Sequence, residues 1–200
     1  MSYAVTEKVA VVVIDSRPSV KSEGKPPTYI GHAHGVFGIP MDIHVYPVVA
    51  LKPEKNFTLA QELEQRIAEG LAATGADVVR VDEGAHGNAA SAKSAARALS
   101  SDRILLITLD EWYVDINLNW VGSFDFDWGY TVEISDTAGA QVAMFKDSGK
   151  DEVKLNGSDS ARNQITAAYR ARLEKLLSRP EVRSGLSIPP KVAWYIAIYQ

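Results

Sequence analysis

The stretch from Arg103 to Asp136 constrains the fold of this chain more than any other. It holds two long runs of alternating side chains joined by a short polar turn around Gly122 and Ser123. In the second run Phe124, Phe126, Trp128, Tyr130, Val132 and Ile134 share one parity, while Asp125, Asp127, Gly129, Thr131, Glu133 and Ser135 share the other. Successive strand side chains point to opposite faces, so the pattern describes one apolar face and one wet face. It predicts a long antiparallel hairpin with its aromatic face on a core.

The flanking segments supply the partners for that hairpin. Val9 to Ile14 is a continuous apolar run, which suits a central strand covered on both sides, and Asp15-Ser16-Arg17-Pro18 ends it. Ser19 to Pro53 is long for a connection and rich in proline and glycine; Ile43 to Val49 within it reads as a short edge strand. Thr58 and Gln61 have capping-box spacing. Leu59, Leu63, Ile67 and Leu71 follow at four-residue intervals, with Gly75 closing the helix. Asp77 to Asp82 reads as a strand, and alanine-rich Asn88 to Leu99 as a helix with a thin apolar side. After a turn at Asp136 to Gly139, Gln141 to Phe145 and about Asp151 to Leu155 read as one or two further strands. Ser158 or Asp159 caps a last long helix with an apolar stripe of Ile165, Tyr169, Leu173, Leu176 and Leu177. Arg170, Arg172, Lys175 and Arg179 favour its C-terminal end.

The expected fold is therefore α+β (mixed α/β): a single mixed β-sheet with a long antiparallel hairpin and two to three helices packed mainly on one face. At 200 residues, with 46% hydrophobic and 23% charged residues, the chain is expected to form one domain over residues 1–200. That domain carries a long inserted loop at about 16–53 and a C-terminal apolar tail at 189–200. The tail, ending in KVAWYIAIYQ, is too short to span a bilayer, and no other stretch reads as a transmembrane segment. It is expected to dock on its own sheet or to join copies of the chain into a homo-oligomer. A net charge of -4 gives no electrostatic reason to expect nucleic acid or anionic lipid as partner. The absence of cysteine excludes disulfides, thiolate catalysis and thiolate metal sites.

Candidate chemistry is concentrated in the loop. His32 and His34 lie two apart, so in an extended chain both rings point the same way; Asp42 and His44 follow. Imidazoles plus a carboxylate could form a transition-metal site, although the spacing matches no specific metal motif and HExxH is absent. Hydrogen-bonded loop histidines are the plainer reading, and His86 beside glycines reads the same way. GHAHGVFG lacks the lysine and hydroxyl of a phosphate loop, so Gly31, Gly35 and Gly38 are expected to permit turns. Asp15 and Arg17, at the end of the first strand, could hold a ligand anion or form a structural pair. Asp110, Glu111, Asp115, Asp125 and Asp127 could divide acid and base roles, or solvate a sheet face. Asp110, sharing parity with Trp112, is the carboxylate expected to be half buried. No nucleophile elbow or other catalytic signature stands out, and no cofactor is indicated. The expected ligand- or partner-binding residues are Asp15, Arg17, His32, His34, Phe37 and Trp194.

Several short stretches also resemble a known group. They are Val11-Val12-Val13-Ile14-Asp15-Ser16-Arg17-Pro18, Leu59-Ala60-Gln61-Glu62-Leu63, Asp77-Val78-Val79, Ile107-Thr108-Leu109-Asp110-Glu111-Trp112, Tyr130-Thr131-Val132-Glu133-Ile134-Ser135-Asp136 and Pro180-Glu181-Val182. In this order they resemble bacterial envelope lipoproteins similar to the TolB amino-terminal domain, including YajG-type lipoproteins. The chain departs from that group in lacking a lipobox cysteine, and its histidine loop is more elaborate. The resemblance implies a non-enzymatic envelope component acting through protein–protein or small-ligand contacts, with no catalytic residues. It places the protein in the periplasm or at the outer membrane if an export signal precedes Met1, and in the cytoplasm otherwise. Two alternatives are a metal-dependent hydrolase using His32, His34, Asp42 and His44, and a cytoplasmic small-ligand-binding protein.

Overall fold

The computed structural model describes residues 8–35, 38–49, 57–81, 88–117 and 122–186. In chain order the described elements are β1 (Lys8–Asp15), α1 (Pro18–Lys21), β2 (Tyr29–His34), β3 (Pro40–His44), α2 (Val45–Val48), α3 (Leu59–Ala72) and β4 (Asp77–Arg80). They continue with α4 (Ala89–Ala98), β5 (Arg103–Asn117), β6 (Ser123–Asp136), β7 (Gln141–Lys154), α5 (Ala161–Leu177) and α6 (Pro180–Gly185). The fold is mixed α+β, with all seven described strands in one mixed sheet.

The hairpin β5–β6 is the backbone of that sheet. Ile116 faces Phe124 near the turn and Arg103 faces Asp136 at the far end, and β7 extends the ribbon antiparallel along β6. The aromatic parity of β6 is buried throughout, as the alternation predicts. On its other edge β5 takes two parallel neighbours end to end: β1 along Arg103 to Leu109, then β2 along Val114 to Asn117. β4 extends the sheet beyond β1, and β3 pairs antiparallel with β2.

Two layers cover this sheet. Val9, Val11 and Val13 of β1 join Leu105, Ile107 and Leu109 of β5 under α3 and α5, in the main core. Ala10, Val12 and Ile14 face the other way, joining Ile104, Leu106, Ala92 and Ala96 under α4. A strand buried on both faces needs an unbroken apolar run, which is what β1 has. The α3 helix begins with the expected capping box of Thr58 and Gln61, and its stripe of Leu59, Leu63, Ile67 and Leu71 is fully buried. The α4 helix begins at Asn88, whose side chain accepts from the Ala90 and Ser91 amides.

Several expectations need correction. The last long helix is capped by Ser160, which accepts from the Asn163 amide, rather than by Ser158 or Asp159. The edge strand expected at Ile43–Val49 lies earlier, at Pro40–His44, and the chain then enters the short α2 turn. The Ser19–Pro53 segment is no plain connection, because β2 within it joins the main sheet beside β5. The two strands expected after the hairpin are one continuous 14-residue strand, β7. Asp110 is partly buried, its side chain 34% exposed, but it does not share a face with Trp112. A bulge between Leu109 and Glu111 resets the alternation, so Leu109 and Trp112 both point into the core. Asp110 turns to Lys146 at 2.9 Å and to Thr131. Burial instead pushes the Glu111 carboxyl up, although the Trp112 amide donates to it. Phe37, His86, Asp82, Trp194 and the tail 189–200 lie outside the described residues.

Candidate functional site

The α4 layer covers one half of its face, over β1 and the start of β5. Over the other half the same face carries polar side chains that are partly exposed among the described residues. The register aligns Asp42 of β3, His32 of β2, Asp115 of β5, Asp125 of β6 and Glu152 of β7 in one row across five strands. Tyr113, Asp127 and Lys150 form the adjacent row. Because strand side chains alternate, each of these shares a face with its row neighbours, opposite the aromatic core.

The histidine pair reaches this face because Gly31 lets β2 press against β5. Gly31 has φ +145°, and a Cβ there would lie 1.9 Å from the Val114 carbonyl oxygen. Its role is therefore a close strand approach rather than the expected turn. His32 and His34 then project together, with ring centroids 6.4 Å apart.

A connected chain of hydrogen bonds fixes His32. Asp42 can only accept, so His32 donates from Nε2 to Asp42 Oδ1 at 3.0 Å. Its Nδ1 is hydrogen-bonded to the Tyr113 hydroxyl at 3.0 Å. The Tyr29 hydroxyl, 3.1 Å from His32 Nε2, bonds the Tyr113 hydroxyl in turn. Lys25 closes the far end, donating to Asp42 Oδ2 at 2.6 Å. That bond from Lys25 is the largest influence holding the Asp42 carboxyl below its usual range. Burial pushes both tyrosine hydroxyls up, so they stay protonated donors at neutral pH. His34 pairs separately, from Nε2 to Asp115 Oδ1 at 2.9 Å. Beside it lies a depression of about 330 Å³ lined by His34, Asp115, Asn117, Ser123, Phe124 and Asp125. Lys150 bridges from β7 to Asp125 at 2.7 Å and approaches Asp127 at 3.9 Å.

The structure thus brings His32, His34, Asp42 and His44 onto neighbouring strands of one sheet, but not around one point. His44 turns to the Thr28 hydroxyl at 3.1 Å, and each of the other two rings has its own carboxylate. Among the described residues no group of three or more histidine, aspartate or glutamate side chains is arranged to hold a metal ion. The four-residue metal set does not form, because strand register spreads those residues along two strands.

Asp15 and Arg17 lie elsewhere, with Arg17 enclosed. The Arg17 guanidinium is 1% exposed. It donates to both Asp15 oxygens at 2.9 and 2.7 Å, to the Tyr29 carbonyl at 2.7 Å and to the Trp112 carbonyl at 3.2 Å. These partners occupy the fork that a ligand anion would need. Tyr29, Tyr113 and Lys25 were missing from the sequence reading of the site. A signal for Tyr113 exists in retrospect: once the bulge resets the phase, it shares parity with Asp115.

No family model matches the chain, and no curated protein matches it. Among solved structures it is similar to PelC from Paraburkholderia phytofirmans, solved as a dodecamer. That pair shares 16% identity over 86% of this chain and 85% of PelC, at a TM-score of 0.45. It is also similar to XCC0632 from Xanthomonas campestris, of the DUF330 family, with 11% identity over 97% and 86% and a TM-score of 0.45. A third is lipoprotein GNA1162 from Neisseria meningitidis, with 12% identity over 86% and 99% and a TM-score of 0.42. At these identities the likeness is one of chain path. Among the described residues no helix is long and apolar enough to cross a membrane.

Proposed function

We propose that this chain is a non-enzymatic binding or assembly component of the bacterial cell envelope, which holds a protein segment or small ligand on the open polar half of its sheet. The supporting observation is the layer of Tyr113, His32, Asp42, His34 and Asp115 left uncovered by α4. Its donors and acceptors are fixed in place before any partner arrives, with tyrosines held protonated and Asp42 held ionised. Preorganised polar groups on a rigid sheet lower the ordering cost of recognition. Acidic side chains outnumber lysines on this surface, which favours a partner carrying donors or positive charge. The envelope part of the reading rests on the stretches that resemble the TolB amino-terminal domain and YajG-type lipoproteins.

Two measurements test it. Cells carrying the gene with its own upstream region are fractionated; recovery in the periplasm or membrane supports the envelope assignment, and recovery in the cytosol alone overturns it. An Asp115→Lys, Asp125→Lys variant is expected to keep its urea midpoint and to lose at least about tenfold in capture of envelope-extract partners, since charge reversal opposes complementarity. Unchanged capture would remove the polar face from the function.

A further inference from the structure

A second depression, of about 300 Å³, lies on the opposite side of the hairpin, between β6–β7 and α5. It is lined by Trp128, Tyr130, Asp147, Asp151, Arg172, Lys175 and Arg179. Arg172 and Lys175 lie three apart on α5, and Arg179 is the residue that caps α6 just beyond it. Arg172 is 5% exposed, which is rare for a charged side chain without a reason. Its guanidinium lies over the Trp128 ring at 3.5 Å, pairs with Asp151 and bonds the Tyr130 hydroxyl. Arg179 lies over the Phe145 ring at 4.4 Å and pairs with Asp147 at 2.5 Å.

Both arginines are therefore immobilised by a ring and a carboxylate before any ligand arrives. Lys175 adds a third positive charge and is exposed at the rim. Three cations and two carboxylates line the depression, and Glu181 approaches Arg179 at 3.7 Å from beside it. The Arg172 Nε–H and the Trp128 indole N–H are buried without an acceptor among the described residues. A half-enclosed volume lined by three cations, with buried N–H donors that lack an acceptor, is chemistry that suits an oxyanion. A neutral ring such as a sugar is disfavoured, because the Trp128 face is already covered by Arg172.

We infer that this depression is a binding site for a phosphate group, carried either by a small soluble molecule or by a lipid headgroup. Arg172 and Arg179 form its floor, and Lys175 stands at its rim. The site is independent of the polar face proposed above, which lies across the sheet from it.

The test uses the whole protein and two probes at low ionic strength. Inorganic phosphate is titrated while amide signals are followed by NMR, with Asp147, Gly149 and Asp151 as reporters. Co-sedimentation with phosphatidylglycerol vesicles, against phosphatidylcholine vesicles, tests the headgroup. Saturable shifts confined to β7 and α5 support a free phosphate; binding to the anionic vesicles alone supports a headgroup. In either case Lys175→Glu, a surface change that leaves the core intact, is expected to weaken binding by roughly tenfold or more. Arg172→Met is expected to abolish it, and the surface variant keeps the test valid should that chain fail to fold. No saturable response to either probe overturns the site, and so does binding that Lys175→Glu leaves unchanged.

Discussion

Arg17 marks a place where one strand stops and the next has not begun. Along the same edge of β5, β1 ends at Asp15 and β2 starts at Tyr29, so backbone carbonyls at the junction have no strand to pair with. The guanidinium supplies the missing donors to Tyr29 and Trp112, and Asp15 balances its charge. Glu64 has the matching role on the outer edge of β1. β4 pairs only as far as Val11, and the Val13 amide donates to the buried Glu64 carboxylate at 3.2 Å. Breaking a buried pair strands its partner, so Arg17→Met is expected to cost roughly 3–5 kcal/mol in urea unfolding; a loss below about 1 kcal/mol would mean that water fills the junction. Glu111 gives a prediction of opposite sign. Its carboxyl is raised by burial, so the folded state binds the proton more tightly than the unfolded chain does. Wild-type stability must then fall as pH rises above the ordinary carboxyl value of 4.5 through the raised folded value. Glu111→Gln removes that loss. The variant is expected to have the higher urea midpoint at pH 7, and its lead should shrink as pH is lowered toward 4.5; a constant gap would contradict the assignment.

Individual elements were legible in the sequence to the degree that local chemistry decides them. The α3 helix could be read in full, because its cap, stripe and stop signals all lie within its own residues. The hairpin could be read because alternation survives any tertiary context that keeps one face buried. The bulge at Leu109–Glu111 escaped the reading although it leaves a trace, the shift from Leu105, Ile107 and Leu109 to Trp112, Val114 and Ile116. The β7 strand was split because Lys146 to Asp151 has no apolar pattern. What holds it is long range: Asp147 pairs with Arg179 and Asp151 with Arg172, both more than twenty residues away. β2 was missed as a strand of the main sheet for a similar reason, since the close approach at Gly31 is set by β5. Of the site, the spacing of His32 and His34 was legible. The carboxylate that each would take was not, because strand register is decided by packing rather than by spacing along the chain.

At the scale of the molecule, the sheet has a stiff middle and soft margins. The interior of β5, from Leu105 to Ile107, is paired on both sides and lies between α3 and α4, so its amides can exchange only when the sheet opens as a whole. β3 and β7 each have a single strand partner among the described residues. Both strands carry exposed apolar side chains, Met41 on β3 and Val142 and Met144 on β7, but β7 also carries Lys146, Lys150 and Lys154, which discourage edge-to-edge pairing. Hydrogen–deuterium exchange at neutral pH is accordingly expected to show slow exchange at Leu105, Leu106 and Ile107 and fast exchange at the amides of β7 that point away from β6. The polar face should fall between the two patterns, because its rows cross β5 at Tyr113 and Asp115 but end on β3 and β7. If the outer amides of β7 exchange as slowly as those of β5, a further strand covers that edge, and the phosphate-binding depression beside it is narrower than its present walls make it.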